Sequence, residues 1–361
     1  MDDIPHMTFD LIDNATGHLP SVVKDIAELR EAASNPDLEL TERLDAFEDI
    51  IASEVGDTML TRARNIEREV GLRQIYLKFE GGNPSGTQKD RIAFAQVLDA
   101  LRRNYDTITF ATCGNYGVAV AFAAGLAGIK CRVFIPETYH SPREKEMVRW
   151  GARIIRHGRN YEEAVIRSSR EAVDEELYDA NPGGLNTDLQ LRAYQEIAYE
   201  IYDELRDAPA AVAVPVSNGT TLAGIYRGFL SLYRRGKTSR IPRIIAGSSS
   251  NQNPIIVSFQ KGLETCEDLD PNLLKESLVN EPLINWHSID GAMALTAIRQ
   301  SDGWAENSGD RKMSYYANFI KSQEGLSVLP ASTAGLLALL MYHKKTPLPG
   351  DRYVAVLTGR R

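Results

Sequence analysis

The segment 81-GGNPSGTQKDRIAFAQ-96 opens on glycines, turns polar, and carries a single lysine, Lys89, at its hinge. The residues before it, 74-QIYLKFE-80, alternate as a strand does. Those after it, 90-DRIAFAQVLDALRRN-104, read as a helix, with Asp90 in the first turn where the helix dipole favours a negative charge. A glycine loop between strand and helix raises the possibility of nucleotide phosphate binding, but the spacing argues against it. In a P-loop the lysine directly follows glycine, and a hydroxyl residue follows the lysine to hold magnesium. Here Lys89 stands three residues after Gly86, and the next residue is Asp90, whose charge repels phosphate. A GxGxxG dinucleotide fingerprint is absent as well.

Outward from this loop the strand–loop–helix unit repeats. Strand 107–112 leads through the turn 113-CGNYG-117 into a small-residue helix, 118–128, and then strand 131–136. Strand 152–158 precedes helix 161–177, and helix 190–205 follows the loop 180–186. Strand 211–216 opens onto the loop 217-SNGTTLAG-224. Strand 243–249 follows, and strand 352–359 closes the chain. Strands alternating with helices imply an α/β fold of mostly parallel sheets wrapped by helices, with ligands at the strand C-termini. The lead-in, residues 1–55, reads as helical. Leu44, Phe47, Ile50 and Ile51 share one face there, which points to packing.

A chain of 361 residues is long enough for about two lobes. The formal charge of −8 argues against nucleic-acid or anionic-membrane binding, which needs basic surface. The apolar stretch 118–129 is too short to span a bilayer, and the polar N-terminus has no leader pattern. Cys113, Cys131 and Cys266 are scattered, as are the histidines, so neither a disulfide framework nor a zinc site is signalled, and a cytoplasmic setting is expected.

Three further loops carry candidate chemistry. The run 214-VPVSNGTTLAGIYRG-228 follows a strand and opens a helix. Its backbone N–H groups would cradle an anion, with Ser217, Asn218, Thr220 and Thr221 as added donors, although the same residues are also good N-caps. The loop 112-TCGNYG-117 offers N–H groups and the Asn115 amide to a carboxylate, or is a plain Asn-containing turn. Thr358 could stand at the strand-end crevice, or simply end a last strand. The helical pairs Glu196/Glu200 and Arg192/Glu196 read as surface charge.

Taken together and in this order, 56-GDTMLTRARNIE-67, 83-NPSGTQKDR-91, 113-CGNYG-117, 217-SNGTT-221 and Thr358-Gly359 resemble the fold-type II pyridoxal-phosphate family. That family holds threonine synthase, tryptophan synthase β and cysteine synthase. Gln88, Met59, Cys113, Ser217 and Thr220 depart from the family's usual spelling.

The resemblance implies pyridoxal 5'-phosphate at the interface of two lobes. Lys89 would hold it as a Schiff base and then act as acid and base. Asn115 would bond the cofactor's ring oxygen, and Thr112, Cys113, Gly114, Asn115 and Tyr116 would grip the substrate carboxylate. Ser217, Asn218, Gly219, Thr220 and Thr221 would hold the cofactor phosphate. Thr358 would face the pyridine nitrogen, and its neutral hydroxyl would favour elimination or replacement at the β- or γ-carbon.

The spelling leans to a threonine synthase-like lyase acting on O-phosphohomoserine, with Arg159, Lys130, His140 and Arg143 as candidates for a second phosphate patch. Alternatives are β-replacement on O-phosphoserine or activated serine, a threonine or serine dehydratase, and a catalytically idle cofactor-binding protein. The resemblance further implies a large lobe from 1–104 plus 211–361, a smaller mobile lobe at 105–210, an amino-acid substrate and a homodimer.

Overall fold

The computed structural model describes residues 21–361 apart from residues 113, 138, 140 and 142, with side chains from residue 26 onward. Cys113, His140 and the first twenty residues of the lead-in therefore lie outside the described residues.

The described strands are β1 (Leu60–Arg62), β2 (Ile75–Phe79), β3 (Thr107–Ala111), β4 (Lys130–Ile135), β5 (Arg153–Arg156), β6 (Tyr178–Asp179), β7 (Ala211–Pro215), β8 (Arg243–Ser249), β9 (Trp304–Ser308) and β10 (Tyr353–Leu357). They form two sheets, ordered β1-β2-β10-β7-β8-β9 and β5-β4-β3-β6. All pairings are parallel except that of the short edge strand β1 with β2. The expected α/β class is thus the observed one.

The central strands explain themselves. TITFA of β3, AVAVP of β7 and YVAVL of β10 are buried along their whole length. A parallel sheet covered on both faces requires such continuous apolar runs.

One feature of strand order decides where the site lies. The last strand, β10, is inserted between β2 and β7, with Leu357 beside Phe79 and Ala355 beside Ala213. Because the three run parallel, their C-terminal ends emerge side by side. The lysine loop after β2, Thr358 after β10 and the 217–221 turn after β7 are brought together by sheet topology alone.

Helix boundaries differ from the sequence expectation at two functional points. The helix expected from Val118 begins at Asn115. The loop expected over 217–224 ends early, and its second half is the first turn of helix Thr220–Arg234. Both shifts place candidate residues on helix N-termini. Over 250–351 the sequence marks no elements. There the structure places β9 and the helices Pro254–Gln260, Gly291–Gln300, Asp310–Gln323 and Ala334–Lys345.

The largest apolar cluster runs through both sheets and includes Phe47, Phe94, Val120, Ile197 and Phe229. Helix Leu40–Glu54 uses the expected face. Phe47 and Ile50 are fully buried, and Phe47 stacks on Phe94 with centroids 5.8 Å apart. Helix Thr187–Leu205 packs along helix Thr220–Arg234.

Candidate active site

The lysine loop is held by the chain's last residues. Gly86 takes φ +89°, a left-handed value that suits glycine, and its carbonyl accepts the Arg360 N–H at 2.9 Å. Thr87 bridges Gly359, and the Gln88 N–H donates to the Thr358 carbonyl at 3.0 Å. Lys89 then opens helix Lys89–Arg102. Asp90 does not face the cavity. It is buried, accepts the Ser85 N–H at 2.9 Å, and is pushed up to about 7 by burial.

Beneath this helix lies a buried charge network. Arg91 binds Glu80 through Nε at 2.6 Å and Nη2 at 2.9 Å, and Glu200 through Nη1 at 2.6 Å and Nη2 at 2.8 Å. Lys78, also buried, pairs with Glu200 at 2.5 Å. The surface reading of Glu196/Glu200 is therefore corrected at Glu200, whose side chain is only 12% exposed because helix Thr187–Leu205 turns that face inward. Arg192 pairs with Asp188 rather than with Glu196.

A cavity of about 560 Å³ lies at the strand C-termini between the sheets. Lys89, Thr112, Gly114, Asn115, Tyr116, Ser217, Asn218, Gly219, Thr220, Thr221 and Thr358 all border it. The sequence-derived candidates are thus brought to one place, Cys113 lying outside the described residues. The Lys89 amine has no hydrogen bond or ion pair among the described residues, and neither has the Asn115 amide. Burial pushes Lys89 down to about 8, with Asp290 partly opposing.

The 217–221 turn has the features of an anion cradle. Gly219 takes φ +95°, and a Cβ there would stand 2.8 Å from the Ala294 Cβ and 3.0 Å from the Asp290 carbonyl. The N–H groups of Ser217, Asn218, Gly219, Thr220 and Thr221 find no acceptor among the described residues. Donors left open in this way at a helix start suit an anion.

The turn is braced from behind. Asn253 Nδ2 donates to the Ser217 carbonyl at 2.9 Å, Ser288 Oγ donates to the same carbonyl at 3.0 Å, and Asn285 Nδ2 donates to Asn218 Oδ1 at 2.8 Å. The Thr220 hydroxyl donates to Asp290.

Other candidates are placed differently. The Tyr116 hydroxyl points into the core, within hydrogen-bond reach of Gln96 and the Ala180 carbonyl. Of the cationic candidates for a second phosphate patch, Arg143 borders the cavity, with its guanidinium on Glu146 at 2.8 Å. Arg159 is exposed and paired with Glu163, and Lys130 is exposed and paired with Asp106 at the far end of β4. His140 lies outside the described residues.

Several neighbours gave no sequence signal. Ser332 is fully buried, with its hydroxyl 3.1 Å from that of Thr358. Glu276 and Glu281 border the cavity, and Tyr139 reaches Glu281 Oε1 at 3.5 Å. These residues come from segments with no motif, so only the folded chain brings them in.

The residues present fit pyridoxal phosphate. Among the described residues, an amine without a hydrogen bond or ion pair faces a cavity that also holds an open amide and a run of N–H groups without acceptors at a helix start. Among the described residues there is no metal-binding cluster, and no helix is long and apolar enough to cross a membrane.

Comparisons with known proteins agree. The chain is 28% identical to a threonine synthase of Methanocaldococcus jannaschii over 307 residues, covering 84% of this chain and 74% of the relative. It is 28% identical to a threonine synthase of a Bacillus species over 306 residues, covering 84% and 82%. Among solved structures, maize serine racemase superposes with a TM-score of 0.72 at 18% identity, covering 88% of this chain and 93% of that one. A threonine deaminase from Solanum lycopersicum superposes with a TM-score of 0.69 at 17% identity, covering 91% and 92%. These two likenesses show the fold. The sequence pattern of the family described as pyridoxal-phosphate dependent enzymes matches residues 51–359, and the chain belongs to that family, with pyridoxal 5'-phosphate as its cofactor.

Proposed function

We propose that the protein catalyses elimination or replacement at the β- or γ-carbon of an amino acid, in the manner of threonine synthase, converting O-phosphohomoserine and water to threonine and phosphate. The observation that carries this reading is the unpaired Lys89 amine facing a cavity that also holds the free N–H groups of 217–221. The relatives named threonine synthase support the reaction class.

When bound, pyridoxal phosphate supplies an electron sink for charge developing at the substrate's α-carbon. The chain's own groups do the rest. Lys89 anchors the cofactor and, once released, carries protons to and from the substrate. An amine held near 8 suits both states at neutral pH. The free Asn115 amide orients the ring, and the loop 112–116 holds the substrate carboxylate. Thr358, backed by Ser332, presents neutral hydroxyls to the ring nitrogen and leaves it without an acidic partner. Helix Asn115–Ala127 and the small sheet form a lobe, within 105–210, that closes over substrate and excludes water.

A second reading has one observation in its favour. Glu276 and Glu281 border the cavity, and Arg143 is already paired with Glu146. That balance is less suited to a substrate phosphate than to a hydroxyl leaving group, as in a threonine or serine dehydratase.

A substrate panel on the holoenzyme separates these readings. O-phosphohomoserine, O-phosphoserine with sulfide or sulfite, threonine and serine are each supplied, and phosphate and 2-oxoacid are measured. Phosphate and threonine from O-phosphohomoserine are expected. Phosphate from the serine ester alone rejects the threonine synthase reading. A 2-oxoacid from threonine or serine without phosphate release assigns the dehydratase.

A further inference from the structure

One group of the wrong sign for a phosphate backs the 217–221 turn, bonded to it without itself bordering the cavity. Asp290 is only 3% exposed. Its N–H donates to the Asn218 carbonyl at 3.0 Å, and its Oδ2 accepts the Thr220 hydroxyl. A threonine hydroxyl has a single proton to donate. While Asp290 is ionised, that proton points at the carboxylate and is withheld from any anion at the helix start. A buried carboxylate beside a phosphate dianion is a like-charge pair, which disfavours ionisation of one of the two.

We propose that Asp290 is a working member of the phosphate cup, taking up one proton as the cofactor enters and so releasing the Thr220 hydroxyl to the phosphate. The proposal rests on the reading of 217–221 as the phosphate cradle. The proton comes from solvent and binds a carboxylate oxygen of Asp290. The new O–H donates to Thr220 Oγ1, and the Thr220 proton turns to a phosphate oxygen. No other bond forms or breaks, and the cup holds one negative charge fewer than it otherwise would.

The surroundings suit such a proton. Burial already pushes Asp290 up, while Thr220 and Lys89 pull it back. Lys89 is the charged group that faces it from helix Lys89–Arg102. Helix Pro254–Gln260 carries no charged residue, and the first turn of helix Thr220–Arg234 carries none either. Cys266 lies against Gly291, with its thiol pushed up by burial and hence neutral. The exposed pair Asp268–His287 lies on the adjoining segments.

The sign of the pH effect follows. A nearby phosphate raises the Asp290 pKa in the bound state. Affinity is therefore highest where the proton is already present before binding, and is lost as pH rises through the bound-state value.

The test uses the full-length apoprotein with pyridoxine 5'-phosphate, which lacks the aldehyde and so does not engage Lys89 covalently. Calorimetry in two buffers of different ionisation enthalpy counts protons over roughly pH 7 to 9, above the ester's second ionisation at about 6. Wild type is expected to take up close to one proton more than Asp290→Asn, with affinity falling more steeply than the variant's by up to about tenfold per pH unit where that extra uptake is complete. Asp290→Asn, whose amide can donate to Thr220, is expected to take up about one proton fewer than wild type, the uptake common to both belonging to Lys89, near 8, and to the ligand's ring nitrogen, and to bind more tightly than wild type at the alkaline end.

Equal uptake in both proteins, or none in wild type, overturns the proposal. Unphosphorylated pyridoxine is the control for the cradle. If it binds wild type as tightly as the phosphate ester, the cradle reading fails and the proposal with it. Phosphate-dependent binding without that extra uptake overturns the role of Asp290 alone.

Discussion

Lys89 differs from a surface lysine in two physical respects: its amine has no hydrogen bond or ion pair among the described residues, and burial lowers it to about 8. The amine is cationic below that value and neutral above it, and only the neutral amine attacks an aldehyde. The rate at which the apoprotein combines with pyridoxal, which lacks the phosphate and so does not involve the cradle, is expected to rise with pH and level off above about 8. Stopped-flow absorbance measures it, and a rate still climbing toward the ordinary lysine value of 10.5 would contradict the lowered pKa. The lysine motif was legible because glycines, Lys89 and the helix start are local to one another. Asp290 was not, because it meets Thr220 from seventy residues away through a contact that no periodicity encodes.

Helix Lys89–Arg102 is fixed from below by Arg91, Glu80, Glu200 and Lys78, whose charges balance within the interior. Removing one member leaves its partners buried and unpaired. Arg91→Met is therefore expected to destabilise the fold by about 3–5 kcal/mol, read as a lower denaturation midpoint. A loss under about 1 kcal/mol, the range of exposed pairs, would show that the network contributes little. Glu200, drawn down to about 2 by Arg91 and Lys78 against burial, adds a pH signature. Its contribution is complete above the ordinary carboxylate value of 4.5 and is lost as pH falls from there toward 2. The pattern Glu196/Glu200 looked like surface charge because i,i+4 spacing marks a helix face without saying which way that face turns. Short strands escaped for a related reason. β1 and β6 span three and two residues, and β9, WAENS, buries a glutamate that Lys345 neutralises.

At the scale of the molecule, alternating strands and helices were enough to read an α/β fold, but not the insertion of β10 between β2 and β7. That insertion is a long-range pairing, and it brings the lysine loop, Thr358 and the 217–221 turn together. Helix Tyr161–Asp174 and the loop after β4, which flank the small sheet, meet the segment 276–290 through polar contacts that include Trp286 Nε1 to Glu162 at 2.8 Å and Tyr139 to Glu281 at 3.5 Å. Substrate added to the holoenzyme is expected to slow hydrogen exchange in β3 to β6 and along 276–290, and unchanged exchange there would contradict a closing lobe.

The central claim is that this cavity is a pyridoxal phosphate site with Lys89 as its covalent anchor. Borohydride reduction of the holoenzyme followed by peptide mass mapping tests it directly. One pyridoxyl phosphate group on Lys89, absent from Lys89→Ala, is the expected result. A label on another lysine, or an equal label in Lys89→Ala, would contradict the claim.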